Sequence, residues 1–364
     1  VSTTAGPLPP TVARAGRAAA GRLHRYVLAG ALLLSVALVG GVIGALCAPS
    51  PRRAWQLEGP GLFTDQLSRS GRDLVAGGSG LWVERQGSDS WKPVGPFSGY
   101  NLVFDVTTTG SANRPGPLYV GATTGAWKAG SVEGTYRRLA LPAASVRRIV
   151  VSPDHESQVW ASSIDGFWRS DDAGGTWVRE DSGVTQAADA WALTWSRGQL
   201  YGATADHVYR WTGQDWRAVS NEYHVVSLDR AEGHLWAASM GDGIWEQQAD
   251  GAWRPANTGL TLRNATGEAM TMDANTMSPY CGLFGQPGPG AAGVHVVSVS
   301  ANTDGPLYAG TMVDGIDRST DGGIEWSPYA AGLAAHGVVW QILQTRGRLL
   351  AATDEGIFSV RTQT

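Results

Sequence analysis

Along most of this chain, short apolar runs alternate with small and polar residues in one recurring phrase. An apolar pair leads into a few small residues, and a glycine or its stand-in is then followed by two apolar or aromatic residues. Seven copies are present: DLVAGGSGLWV (73–83), PLYVGATTGAWK (117–128), QVWASSIDGFWRS (158–170), QLYGATADHVYRW (199–211), HLWAASMGDGIWE (234–246), PLYAGTMVDGIDRS (306–319) and RLLAATDEGIFSV (348–360). Each copy predicts two strands joined by a tight turn, because aromatic and β-branched residues alternate with small ones on either side of a glycine or aspartate. The marker positions Gly80, Gly125, Gly166, His207, Gly243, Gly315 and Gly356 lie 45, 41, 41, 36, 72 and 41 residues apart.

Two further strands complete each repeat. An aromatic marks the first of them, at Trp91, Tyr136, Trp177, Trp216, Trp253 and Trp326, and Trp55 ahead of the first copy supplies the seventh. The second aligns as FTDQL (63–67), LVFDV (102–106), SVRRI (145–149), DAWAL (189–193), HVVSL (224–228), HVVSV (295–299) and VVWQI (338–342). Its fifth column is apolar throughout (Leu67, Val106, Ile149, Leu193, Leu228, Val299, Ile342), as inner strands packed between neighbouring sheets require. Seven repeats of four strands, with a period near 40 residues, predict an all-β chain folded as a seven-bladed β-propeller over 54–364. The last copy has no outer strand of its own, so the Trp55 strand is expected to close the ring and remove its open edges.

Composition agrees with this architecture. Forty-nine glycines and 16% charged residues suit short strands and tight turns, and a net charge of −4 gives no general attraction to nucleic acid. Ten of the 16 tryptophans fall in two repeat columns (Trp82, Trp127, Trp168 and Trp245 with the outer Trp55, Trp91, Trp177, Trp216, Trp253 and Trp326), which assigns them to blade cores.

The first fifty residues belong to another environment. Residues 26–48 carry no charge and are apolar or small throughout, and 23 helical residues span roughly 34 Å, enough for a hydrocarbon core of about 30 Å. The tail at 1–25 holds Arg14, Arg17, Arg22 and Arg25 without an acid. A single transmembrane helix with a cytoplasmic tail and an extracytoplasmic propeller, in periplasm, lumen or cell surface, is the expectation. A cleaved signal peptide is the alternative, and Leu46 ahead of Cys47 argues against a lipoprotein. With Cys281 as the only other cysteine, internal disulfides are not expected.

Two segments carry more specific information. SDDAGGTW (Ser170, Asp172, Gly174, Trp177) and STDGGIEW (Ser319, Asp321, Gly323, Trp326) both fit Ser-x-Asp-x-Gly-x-x-Trp. In each, serine and aspartate can bond the backbone of a hairpin turn while glycine takes positive φ. These segments resemble the Asp-box, or BNR, repeat of sialidases, sortilin-type receptors, xyloglucan hydrolases and photosystem II assembly-factor propellers. The resemblance implies fold rather than function, and structural roles for Asp172 and Asp321. The Phe/Tyr-Arg-Ile-Pro motif of sialidases is absent, as are phosphate loops, Gly-x-Ser-x-Gly elbows, Cys-x-x-Cys pairs and His-Glu-x-x-His runs.

Where a partner would bind is indicated by the doubled interval. Trp253 to Gly315 takes 62 residues against 30 for Trp326 to Gly356, so a loop insert occupies 261–293. Its Met270, Met272, Met277, Tyr280, Cys281 and Phe284 offer an adaptable contact surface for a protein partner, or soft ligands for copper(I). Asp189, His224 and His295, with His336 just ahead of the next inner strand, share the starting column of inner strands. They either hold a metal at the channel mouth or line it as solvated polar groups, and the second is preferred. The resulting expectation is a non-enzymatic interaction propeller, part of a membrane or extracytoplasmic complex or an assembly factor for one, without a cofactor. The competing reading is an extracytoplasmic carbohydrate-active enzyme of sialidase or glycosidase type, which needs two carboxyl groups facing each other across a pocket, with Asp65, Asp105 or Asp189 sharing the channel mouth with another acid.

Overall fold

The computed structural model describes residues 55–185, 189–220, 225–231, 233–241, 243–260, 294–301, 305–312, 315–329, 332–333, 337–345 and 347–362. Of residues 240, 241, 294–297 and 301 it describes the backbone only. Within them 28 strands form seven antiparallel four-stranded blades. The innermost strands are Thr64–Ser70, Val103–Ser111, Val146–Val151, Ala192–Ser196, Val225–Ala231, Val294–Ala301 and Val339–Thr345. Six blades proceed outward in chain order and the seventh takes its outer strand from the N-terminal side, so the all-β seven-bladed β-propeller expected from the repeat is the observed fold. The fifth blade adds a feature that the repeat did not announce. Its second strand, His234–Gly241, runs on to pair with the start of the sixth inner strand (Met240↔His295, Gly241↔Val294), which welds two blades together at their channel end. Among the described residues no helix is long and apolar enough to cross a membrane, and the expected span at 26–48 lies outside them.

The ring closes as its missing aromatic required. Gln56–Leu57 pairs antiparallel with Gly356–Arg361 (Gln56↔Ser359, Leu57↔Phe358) and becomes the outer strand of the seventh blade. Trp55 sits one residue ahead of that strand, half-buried on a core containing Tyr308, Phe358 and Val360. A charged clamp reinforces the seam. Arg348 contacts Glu58 at 2.5 Å and Glu84 at 2.6 Å, which ties the closing segment, the seventh blade and the first blade together.

Between blades the fit is close. All seven residues of the apolar inner column are buried, from Ile149 at 0% to Leu228 at 5% exposure. Small residues on the second strands allow neighbouring inner strands to approach: a Cβ at Gly77 would meet Val103 at 2.5 Å, and one at Gly121 or Gly310 would meet the carbonyl of Val146 or Val339 at 2.6 Å. All ten repeat-column tryptophans pack on blade cores as expected, at different depths. Trp216 and Trp326 are fully buried, but so are Trp160 and Trp236 on second strands, whereas Trp82, Trp127 and Trp245 are only half-buried. Second strands are covered by neighbouring blades on both faces, and the side chains of third strands lie nearer the rim.

Both Ser-x-Asp hairpins form the turns drawn from their sequence. Ser170 Oγ accepts from Gly174 N at 2.8 Å while donating to Asp172 Oδ1 at 2.8 Å, and Ser319 Oγ accepts from Gly323 N at 2.9 Å while donating to Asp321 Oδ1 at 2.7 Å. Asp172 is drawn down to about 2 by the Thr176 N–H and by the Ser170 and Thr176 hydroxyls, and Asp321 is lowered by the Glu325 N–H and the Ser319 hydroxyl. Carboxylates so engaged are turn ligands, not acid catalysts. Trp326 locks its box to the preceding blade by donating Nε1–H to Ala256 O at 2.8 Å. Trp177 is partly exposed, and its Nε1 makes no such bond among the described residues. Ser319→Ala strands the buried Gly323 N–H and is expected to cost about 1–3 kcal/mol in urea unfolding, while Ile324→Ala in the same turn, 72% exposed, stays within about 0.5 kcal/mol. Equal effects of the two substitutions would remove the serine from this role.

Candidate functional site at the channel mouth

Each inner strand begins at the face where it arrives from the preceding blade, and this is where the backbone departs from regular pairing. In six blades the register slips near the start of the inner strand, leaving Asp65, Phe104, Arg147, Val226, Val297 and Trp340 as the extra residue between two paired neighbours. A bulge re-aims its side chain out of the sheet's alternation. Asp65 and Phe104 are accordingly mostly buried but still reach solvent, between the buried pairs Thr64/Gln66 and Val103/Asp105. The fourth blade has no slip, yet Trp191 holds the same place, half-exposed between buried Ala190 and Ala192. In five of the seven blades the mouth therefore presents an aromatic or charged side chain at this place, Asp65, Phe104, Arg147, Trp191 and Trp340.

Specific contacts set this ring. Arg147 lies 3.4 Å from the centroid of the Trp191 ring and 2.6 Å from Asp189 Oδ1, and Trp191 donates its indole N–H to Asp189 Oδ2 at 3.1 Å. Across the ring, Trp340 donates its indole N–H to Asp354 Oδ1 at 2.7 Å and meets Phe63 edge-on, with ring centroids 6.0 Å apart. Arg148 lies one residue deeper and spans three blades, donating to Gln66 Oε1 at 3.2 Å and Phe104 O at 3.1 Å and standing 3.9 Å from Asp105. Asp105, 3% exposed, accepts the Ile149 N–H at 2.7 Å and so staples the second blade to the third.

The carboxyls answer to this crowding. Burial pushes Asp65 up to about 7; Arg148 and Arg147 oppose the shift, and Asp105 and Asp354 add to it. Asp105 and Asp229 are also raised, chiefly by burial, with Arg148 opposing in both cases. One guanidinium thus serves acids from the first, second and fifth blades. A carboxyl that titrates near neutrality in a cleft is a functional-site signal.

The sequence-derived site residues are redistributed by these findings. Asp65 and Asp105 do come together electrostatically, but Asp105 is occupied in the blade staple, and Asp189 is taken up by Arg147 and Trp191 rather than offered to a metal. Among the described residues no group of His, Cys, Asp and Glu is placed to hold a metal ion. His224, His336 and the side chain of His295 lie outside the described residues, as do Met270, Met272, Met277, Tyr280, Cys281 and Phe284. The backbone of His295 is fixed by its pairing with Met240. Arg147, Arg148, Trp191, Trp340 and Asp354 were not singled out from the sequence. The signal for the first four was the third and fourth columns of the inner-strand alignment, whose residue types vary too much between blades to read as one site, and Asp354 lies in the turn of the seventh repeat phrase.

Comparison with solved structures shows the fold and leaves the activity open. The extracellular domain of a hybrid two-component system from B. thetaiotaomicron superposes with a TM-score of 0.65 at 13% identity, over 86% of this chain and 40% of that one. YCF48 bound to D1 peptide gives 0.59 at 15% identity, over 86% of this chain and 96% of that one. The GH74 xyloglucanase from Xanthomonas campestris gives 0.59 at 18% identity, over 85% and 54%. The chain thus spans about half or less of two of these relatives and nearly all of the third. No family model and no curated protein matches it.

Proposed function

We propose that this chain is a non-enzymatic interaction propeller that holds protein partners at its channel mouth. It is anchored in a membrane by 26–48 and serves as a subunit or assembly factor of a membrane or extracytoplasmic complex. The observation that carries this reading is the mouth itself, where half-exposed aromatics and ion-paired charges from five blades ring one opening. Buried aromatic and arginine anchors within a polar rim are the composition of protein-recognition surfaces. The likeness to YCF48, which was solved with a peptide and which this chain covers at 96% of its length, supports the same reading. The insert at 261–293 extends the surface in this proposal, leaving after buried Leu260 and returning at Val294, where the fifth and sixth blades are paired. Replacing 261–293 with a short Gly-Ser turn is expected to keep the melting transition, because loop-closure entropy changes only with the logarithm of length, and to abolish retention of partners from detergent-solubilised membranes. Partner retention that survives the replacement removes the insert from the interface; a wild-type chain that retains no protein at all defeats the docking reading.

A glycosidase reading has one observation of its own, an acid titrating near 7 beside other carboxyls. Turnover in a panel of aryl glycosides and oligosaccharides, lost in Asp65→Asn, would establish it in place of docking.

A further inference from the structure

Asp65 differs from every other acid at the mouth. Asp189 is paired with Arg147, Asp354 is bonded by Trp340 and by the Val338 N–H, and Asp105 is bonded by Ile149, while Asp65 makes no hydrogen bond or ion pair among the described residues. The two guanidiniums near it are committed elsewhere. Arg147 is fixed between Asp189 and the face of Trp191, and Arg148 is directed at Gln66, Phe104 O and Asp105. The local charge is therefore unbalanced toward the acids: Asp65, Asp105 and Asp354 gather where two arginines face other partners. Asp65 and Trp340 occupy the same slip on adjoining inner strands, Trp340 is bonded to the Asp354 that acts on Asp65, and Trp340 meets Phe63, two residues ahead of Asp65, edge to face, so a partly exposed aromatic pair borders this unmatched carboxyl. Aromatic faces and a carboxylate together recognise one chemistry, an organic cation with an apolar stem.

We infer that Asp65, with Phe63 and Trp340 beside it, is a socket for a lysine or arginine side chain presented by an extended segment of a partner protein. The inference rests on the docking reading and specifies what the mouth reads. The stem of the side chain lies along the aromatic wall, and its charged head supplies the counter-charge that Asp65 lacks. The elevated titration of Asp65 agrees with an acid placed for a cation that is absent from the free protein. Extended partners suit such a socket because they deliver single side chains without a large interface.

The test uses the full chain in detergent micelles with 15N-labelled tryptophan, following the indole cross-peak of Trp340, assigned through Trp340→Phe. The probes are butylammonium chloride and butylguanidinium chloride, with 1-pentanol and sodium valerate as neutral and anionic counterparts of similar size. At pH 8 the two cations are expected to shift the peak saturably in the millimolar range, with affinity falling at least tenfold in Asp65→Asn, while pentanol and valerate leave it in place. Equal shifts by pentanol, or unchanged affinity in Asp65→Asn, overturn the socket. A chain lacking residues 1–25 that binds the cations when the full chain does not identifies the occupant as its own arginine-bearing tail, which overturns the partner assignment. Retention of membrane proteins by the same Asp65→Asn variant separates the two readings. Partners kept while cation binding is lost sink the socket alone, and a wild type that binds butylammonium yet retains no protein sinks the docking reading alone.

Discussion

Removing residues 1–59 will unlatch the ring, whereas removing residues 1–50 will leave it closed. The shorter chain loses Trp55, the Gln56–Leu57 ladder to Ser359 and Phe358, and the Glu58 arm of the Arg348 clamp. Phe358 and Val360, now 5% and 3% exposed, would then face water across an unpaired strand. Re-exposing these two side chains and forfeiting Trp55 costs at least about 3 kcal/mol on the transfer scale. Arg348 keeps Glu84 as a partner, so the loss reflects the seam and not a stranded buried charge. The free edge of Gly356–Arg361 becomes a template for pairing between molecules. Calorimetry and gel filtration should show a lower, broader transition and self-association for the chain beginning at Pro60. Coincident melting curves for the two truncations would rule out this seam as the closure of the ring.

Asp65→Asn is expected to stabilise the protein at pH 8 and to do almost nothing at pH 4. The folded protein holds the Asp65 proton up to about 7 against an ordinary 3.8, chiefly through burial, so between those values the folded chain binds more protons than the unfolded one. Stability from this group is therefore complete below about pH 4 and falls as pH rises through 7. Three units correspond to roughly 4 kcal/mol, and partial exposure of the side chain lowers this to about 2–4 kcal/mol. Asparagine fills the same space without a charge and removes the slope. Asp229 and Glu84, also raised mainly by burial, add slopes of the same sign in both proteins and drop out of the difference, which reports Asp65 together with its coupling to Asp105. Urea midpoints measured from pH 4 to 8 would decide it: a difference that does not vary with pH contradicts the assignment of an uncompensated carboxyl.

Much of this molecule is written in short-range features. Strand alternation, the small residue before each turn, the outer aromatic and the apolar inner column each depend on neighbours within a blade, so they recur with the repeat. The absence of an outer aromatic after the seventh copy pointed to Trp55 because the count of a closed ring admits no remainder. The mouth is different in kind. Gln66, Phe104 and Arg148 meet because consecutive inner strands lie side by side around a channel, although they stand about forty residues apart in the chain. The bulge that turns Asp65, Phe104, Arg147 and Trp340 out of the sheet leaves no residue-type signature, since the slip is a backbone event and its occupant differs in each blade. The same limit applies to the acids. As sequence, Asp65, Asp105 and Asp189 were equivalent members of nearby columns; packing of consecutive blades gave Asp105 a backbone N–H and Asp189 an arginine, and left Asp65 without either. The chain by itself determined the blades, their number and their closure, because these follow from local periodicity. Which charges are paired was decided only by the tertiary structure, because pairing depends on distances across the channel that no local pattern encodes.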